Sequence, residues 1–121
     1  MRSIYFLLIS VLFLPVFSWA QPCTTPISNA AFQQGLARVK TAGSELAMSQ
    51  SAALLASQCL SSAQVKAIVL LLPSDQSKYD FALMAFSKTV DKVNFYDVYD
   101  GFSYFSTVFR LHDATATIGQ P

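Results

Sequence analysis

Apolar side chains recur three and four positions apart along most of this chain, and nowhere do they alternate singly between turn residues. Tyr79, Ala82, Leu83, Phe86 and Val90 stand at i, i+3, i+4, i+7 and i+11, and Phe95, Tyr99, Phe102, Phe105 and Phe109 come next at steps of 4, 3, 3 and 4. Such spacing gathers each set on one side of an α-helix, whereas a half-buried strand needs strict alternation. The chain is expected to be all-α.

The remaining segments carry helix punctuation. Phe32, Leu36 and Val39 share one face of a helix over Ser28–Thr41, with Ser28 or Asn29 as its N-cap. Ala42-Gly43 ends it, because glycine takes the left-handed terminating conformation at little cost. Ser44 then caps a helix running to about Gln58, whose Ala- and Ser-rich composition suits close approach of a neighbour. Ser61-Ser62-Ala63-Gln64 has the form of a capping box, and the apolar run Ala67–Leu72 marks a centrally placed helix stopped by Pro73. Ser74 caps the helix that begins at Asp75. The Asp91-Lys92-Val93-Asn94 stretch interrupts the apolar stripe, and Gly101 with Ser103 is expected to split the second stripe into two short helices. Ala114–Pro121 is small and polar and reads as a flexible tail.

The first twenty residues stand apart. Arg2, the apolar run Ile4–Phe17 and the small-x-small triplet Ser18-Trp19-Ala20 have the layout of a secretory signal peptide cleaved after Ala20. The run is short for a membrane anchor and contains Ser10 and Pro15, so no stable membrane insertion is expected after cleavage. Removing 20 residues from 121 leaves 101, enough for one domain with one core. The expected location is the periplasm or the cell exterior. With Arg2 gone, seven basic residues balance seven acidic ones, and no cationic excess remains to neutralise nucleic-acid phosphates. Positive charge favours the first half (Arg38, Lys40 and Lys66 against Glu45). Six aspartates outnumber Lys78, Lys88, Lys92 and Arg110 in the second. Two ordinary solvated surfaces would account for this, as would an acidic face meeting a cationic partner or metal.

Only Cys23 and Cys59 are present, both in the exported part, and no Cys-x-x-Cys pair occurs. In an oxidising compartment such a pair is expected to form one structural disulfide. With a single histidine, His112, the ligand set for zinc is poor, and no metal or other cofactor is expected.

Chemistry-bearing constellations are few. Asp91, Asn94, Asp97 and Asp100 recur every three residues, but the pattern lacks the alternating loop ligands and bidentate glutamate of a calcium site. Capping by Asp91 or Asn94, with Asp97 and Asp100 on a wet helix face, explains the same residues. His112 adjoins Asp113 in sequence, yet neighbouring helical positions point in different directions, so no triad is implied. No catalytic residue is singled out. Tyr96, Asp97, Asp100 and Tyr104 form the candidate binding patch, because aromatic residues beside charges are enriched at interface hot spots.

The motif Asp75-x-x-Lys78-Tyr79-x-Phe81-Ala82-x-x-Ala85-Phe86, continued by Asp91-x-x-Asn94-Phe95-Tyr96-x-Val98-Tyr99-Asp100-x-Phe102, resembles the domain of unknown function 4476 family. Cys23-Thr24-Thr25-Pro26, Phe32 and the Cys59–Val65 junction resemble its N-terminal half. Gly101 departs from the pattern, standing where a larger helix former is more usual, and the chain after Leu111 is less apolar than expected. The resemblance implies a small helical domain of exported bacterial proteins and carries no activity, substrate or catalytic residue. The expectation is a single domain over residues 21–113, a compact bundle of five to six short helices with one disulfide. Its expected role is a non-enzymatic interaction or structural module binding another envelope or extracellular protein. The alternative is a hydrolase or metal-dependent enzyme using the aspartates of the C-terminal half.

Overall fold

A computed structural model describes residues 23–118. The expected leader, its cleavage after Ala20 and the new terminus at Gln21 lie outside the described residues. Five helices succeed one another: α1 (Asn29–Ser57), α2 (Ser62–Val69), α3 (Asp75–Phe86), a 3-10 helix (Lys92–Gly101) and α4 (Phe105–Ile118). No described helix is long and apolar enough to cross a membrane.

The α1 segment is a hairpin of two helical arms. Gly43 breaks it with φ 77° and ψ 171°, a left-handed backbone that side chains disfavour. The arms then lie side by side, with Gly35 of the first against Leu54 of the second. Phe32, Leu36 and Val39 face inward from one arm and Ala47, Ser51 and Leu55 from the other. Ser51 is fully buried and satisfied, its hydroxyl donating to the Ala47 carbonyl at 2.8 Å.

The Cys23–Cys59 disulfide forms, with Cα atoms 5.7 Å apart. It ties the extended N-terminal segment to the end of α1, where the Ile27 amide also donates to the Cys59 carbonyl at 2.8 Å. The capping box at α2 is complete. Ser61 Oγ accepts from the Gln64 amide, and Gln64 Oε1 accepts from the Ser61 amide. The Gln64 side-chain nitrogen donates to the Ile27 carbonyl at 3.1 Å, so one residue both starts α2 and holds the N-terminal segment. Val65, Ile68 and Val69 are fully buried, and α2 sits centrally between the α1 hairpin, α3 and the 3-10 helix.

The chain leaves helical geometry earlier than the stripe Tyr79–Val90 suggests. The α3 helix stops at Phe86, and Val90 is not part of it. Thr89 Oγ1 donates back to the Ala85 carbonyl at 2.7 Å, a side-chain bond that competes with continued helix. The strand-like step Lys88–Val90 instead pairs with Leu60, through Leu60 N–H to Lys88 O (3.0 Å) and Val90 N–H to Leu60 O (2.9 Å). Leu60 and Thr89 at this bridge are fully buried.

The period-three spacing that begins at Asp91 is realised as a 3-10 helix, in which residues three apart eclipse one another. Phe95, Val98 and Gly101 form its buried ridge, rather than the Phe95/Tyr99/Phe102 stripe expected for an α-helix. Tyr96, Tyr99 and Phe102 make a second ridge, while Asn94, Asp97 and Asp100 make a third. Phe95 seats its ring edge-on against Phe86 of α3, with centroids 4.9 Å apart. Runs of 3-10 helix this long are uncommon because their hydrogen-bond geometry is poor. Here the buried ridge packed on α2 compensates.

Two further expectations change at α4. Phe105 and Phe109 are exposed instead of continuing the core stripe; Thr107, Leu111 and Thr115 are buried in their place. Residues 114–118, expected to be a flexible tail, are the last turn of α4, anchored by Thr115. Arg110 stacks over the Tyr79 ring at 4.5 Å and joins α4 to α3.

Candidate functional site

Two of the aspartates that gave the second half its acidic character act as long-range helix caps. Asp91, which with Asn94 was one of two candidates to cap the helix just after it, makes no side-chain cap there. Its Oδ1 accepts from the Ser62 amide at 2.7 Å, satisfying the N-terminus of α2, and its Oδ2 accepts from Asn94 at 3.1 Å. The Ser62 hydroxyl returns a bond to the Asp91 carbonyl. Asp75 does the same for α4. Its two carboxylate oxygens accept from the Ser103 and Tyr104 amides at 3.0 and 2.9 Å. Lys78, one turn along α3, donates to the Gly101 carbonyl at 2.8 Å and closes the same junction.

Burial pushes both carboxyls up, but the bonds they accept outweigh it and hold each below its ordinary value. For Asp75 these come from the amides of Ser103 and Tyr104, then the Thr107 hydroxyl and the Lys78 charge. For Asp91 they come from Ser62 and Asn94. A depressed folded-state value contributes stability above the unfolded pKa and loses it as pH falls through the folded one. Asp91→Ala is accordingly expected to cost about 2 kcal/mol at neutral pH, since it strands a helix-start amide. In urea titrations that cost should shrink as pH drops below the ordinary value of 3.8. A cost that stays constant into acid would place the stabilisation elsewhere.

The remaining candidate residues separate. Asp100 lies near Lys66 of α2 at 3.5 Å, an exposed pair worth little. Asp97 is half-buried on the same ridge of the 3-10 helix. Among the described residues no three His, Cys, Asp or Glu side chains gather into a group that could hold a metal. Tyr96 and Tyr104 are both exposed but border different depressions.

What joins them is an aromatic surface that sequence reasoning missed. A cleft of about 440 Å³ opens between the 3-10 helix and α4, lined by Lys92, Val93, Tyr96 and Tyr99 on one side and His112, Thr115 and Ala116 on the other, with Phe86 and Phe95 contributing. A smaller groove adjoins it, formed by Tyr99, Phe102, Tyr104, Phe105 and Val108 among others. Tyr99 belongs to both. Burial raises its phenol, opposed more weakly by Thr115, and the protonated hydroxyl is hydrogen-bonded to His112 Nδ1 at 2.9 Å. His112 is exposed in the middle of α4 and links it to the 3-10 helix.

The large side chains around this surface are open to solvent. Val93 is 83 % exposed, Tyr96 63 %, Tyr104 67 %, Phe105 84 % and Phe109 65 %. On α4, Phe105, Phe109, His112 and Ala116 fall at i, i+4, i+7 and i+11, one continuous outer face. The signal was present as the spacing of Phe105 and Phe109. Periodicity alone does not say which side of a helix the core will take.

The profile of the family described as a domain of unknown function, DUF4476, matches residues 25–113. The chain belongs to the DUF4476 family. No curated protein and no solved structure matches it. In this DUF4476 chain, the acidic motif positions Asp75 and Asp91 are the two long-range caps. The family match also ends before the last turn of α4, so Thr115 and Ala116 of the cleft lie beyond it.

Proposed function

We propose that this DUF4476 domain is an exported, non-enzymatic binding module that docks another envelope or extracellular protein on the aromatic surface of the 3-10 helix and α4. The observation that carries this reading is the set of open side chains Val93, Tyr96, Tyr104, Phe105 and Phe109 around two adjoining grooves. Small domains rarely leave so many large apolar groups in water unless a partner covers them, and tyrosine and phenylalanine are favoured at interface cores. Export is supported by the leader pattern of residues 1–20 and by the Cys23–Cys59 disulfide, a bond that persists in oxidising compartments. The aspartate-based alternative is supported less well, because Asp75 and Asp91 are engaged with backbone amides and Asp100 with Lys66.

The test is affinity capture from envelope extract. Tyr96→Ala with Phe105→Ala removes two exposed rings and should leave stability nearly unchanged, while weakening the captured partner by about tenfold or more. Asp97→Ala should have a smaller effect. If every specific partner stays bound to the double variant, the chosen surface is wrong.

A further inference from the structure

We infer that the partner segment seated in the Tyr96–His112 cleft is apolar and carries carboxylates. This rests on the reading of that face as the docking surface, and it runs opposite to the alternative in which an acidic face meets a cationic partner. The six aspartates make the C-terminal half net negative, but none of them lines the cleft. Asp91 is turned toward the start of α2, and Asp97 and Asp100 occupy a different ridge of the 3-10 helix from Tyr96 and Tyr99. Asp113 is one position beyond His112, about 100° farther round α4.

The ionisable groups that do line the cleft are Lys92, His112 and the phenols of Tyr96 and Tyr99. Lys92 is pinned at one end. Its ammonium donates to the Thr89 carbonyl at 2.9 Å and the Ser87 carbonyl at 3.5 Å, and lies 5.7 Å from the centre of the Phe86 ring. Two of its three N–H donors are thereby engaged, leaving one for an incoming acceptor with little further side-chain entropy to lose. His112 is oriented by Tyr99 and offers an imidazole on the opposite wall. A ring-lined floor with a fixed ammonium at one end fits an apolar anchor with a carboxylate beside it. A lysine- or arginine-bearing segment would set like charges against Lys92, which is unfavourable at an interface.

Three capped peptides test this: Glu-Leu-Trp-Leu-Glu and the same sequence with lysine or serine in place of glutamate. Each is titrated at low salt into the disulfide-intact, ¹⁵N-labelled protein. The glutamate peptide should shift the amides of Val93, Tyr96, Tyr99 and Ala116 and bind about fivefold more tightly than the serine peptide, with the lysine peptide weakest. Added salt should narrow the difference. Lys92→Gln should erase the preference. Ala116→Glu should do the same from an exposed helical position that keeps the Lys92 contacts intact. Equal binding of all three peptides at this cleft, or preference for lysine, would overturn the charge inference and leave the docking surface standing. No shift at the cleft with any peptide would overturn both.

Discussion

Replacing Cys23 and Cys59 with serine is expected to lower stability by about 4 kcal/mol, the loop-closure entropy restored to the unfolded chain when a bridge of this span is removed. The two residues are 36 apart in sequence, and the bridge is the main tether of the segment before α1. Without it, that segment is held by the Ile27 amide bond to Cys59 and the Gln64 bond to Ile27. A domain of this size has roughly 5–15 kcal/mol in total, so the loss is a large fraction of it. The melting temperature should fall by roughly 20 °C. Scanning calorimetry of the wild type with and without reductant, beside the double serine variant, measures this directly. Reduced wild type and variant should agree, and the oxidised protein should weigh two hydrogens less by intact mass. A free-thiol count of two, or a melting temperature indifferent to reductant, would refute the tether.

Gly101→Ala should destabilise the domain by about 1–3 kcal/mol, the cost of overpacking a close contact. A Cβ there would stand 2.7 Å from Val69 Cγ1, inside the packing of the 3-10 helix on α2. The sign is informative. On an open helix the same change would stabilise by restricting the unfolded chain. Here the backbone of the 3-10 helix must come close to α2, and Lys78 holds the Gly101 carbonyl in that position. Val69→Ala should relieve part of the penalty, so the two changes should couple favourably in a double-mutant cycle monitored by urea unfolding. An alanine at 101 that costs the same in both backgrounds would assign the glycine some other role. The departure from the family pattern at this position is thus a packing requirement of this chain.

Much of the fold is legible because helices announce themselves locally. Ser61 with Gln64, Ser74 before Asp75, and Gly43 between two apolar stripes are short-range signals, and each is realised where it stands. The departures share a different cause. Val90, Phe105 and Phe109 point inward only if an α-helical period is continued through a region that changes period. Once the chain adopts three residues per turn at Lys92, Val98 and Gly101 become the buried ridge. From spacing, Asp91 reads as a local cap and Asp75 as the first residue of its own helix, because spacing reveals only near neighbours. The amides they serve lie 29 and 28 residues away.

The helical class, the family, the pairing of the only two cysteines and the placement of most helix starts are all written in local residue order. All of these depend on contacts within a turn or on there being no alternative partner. Tertiary structure alone decided which ridge of the 3-10 helix faces α2, which helix start each aspartate serves, and which aromatic rings remain in water. Those outcomes depend on how α3, the 3-10 helix and α4 meet. Burial is a property of the assembled surface, and residue spacing supplies only the faces among which the assembly chooses.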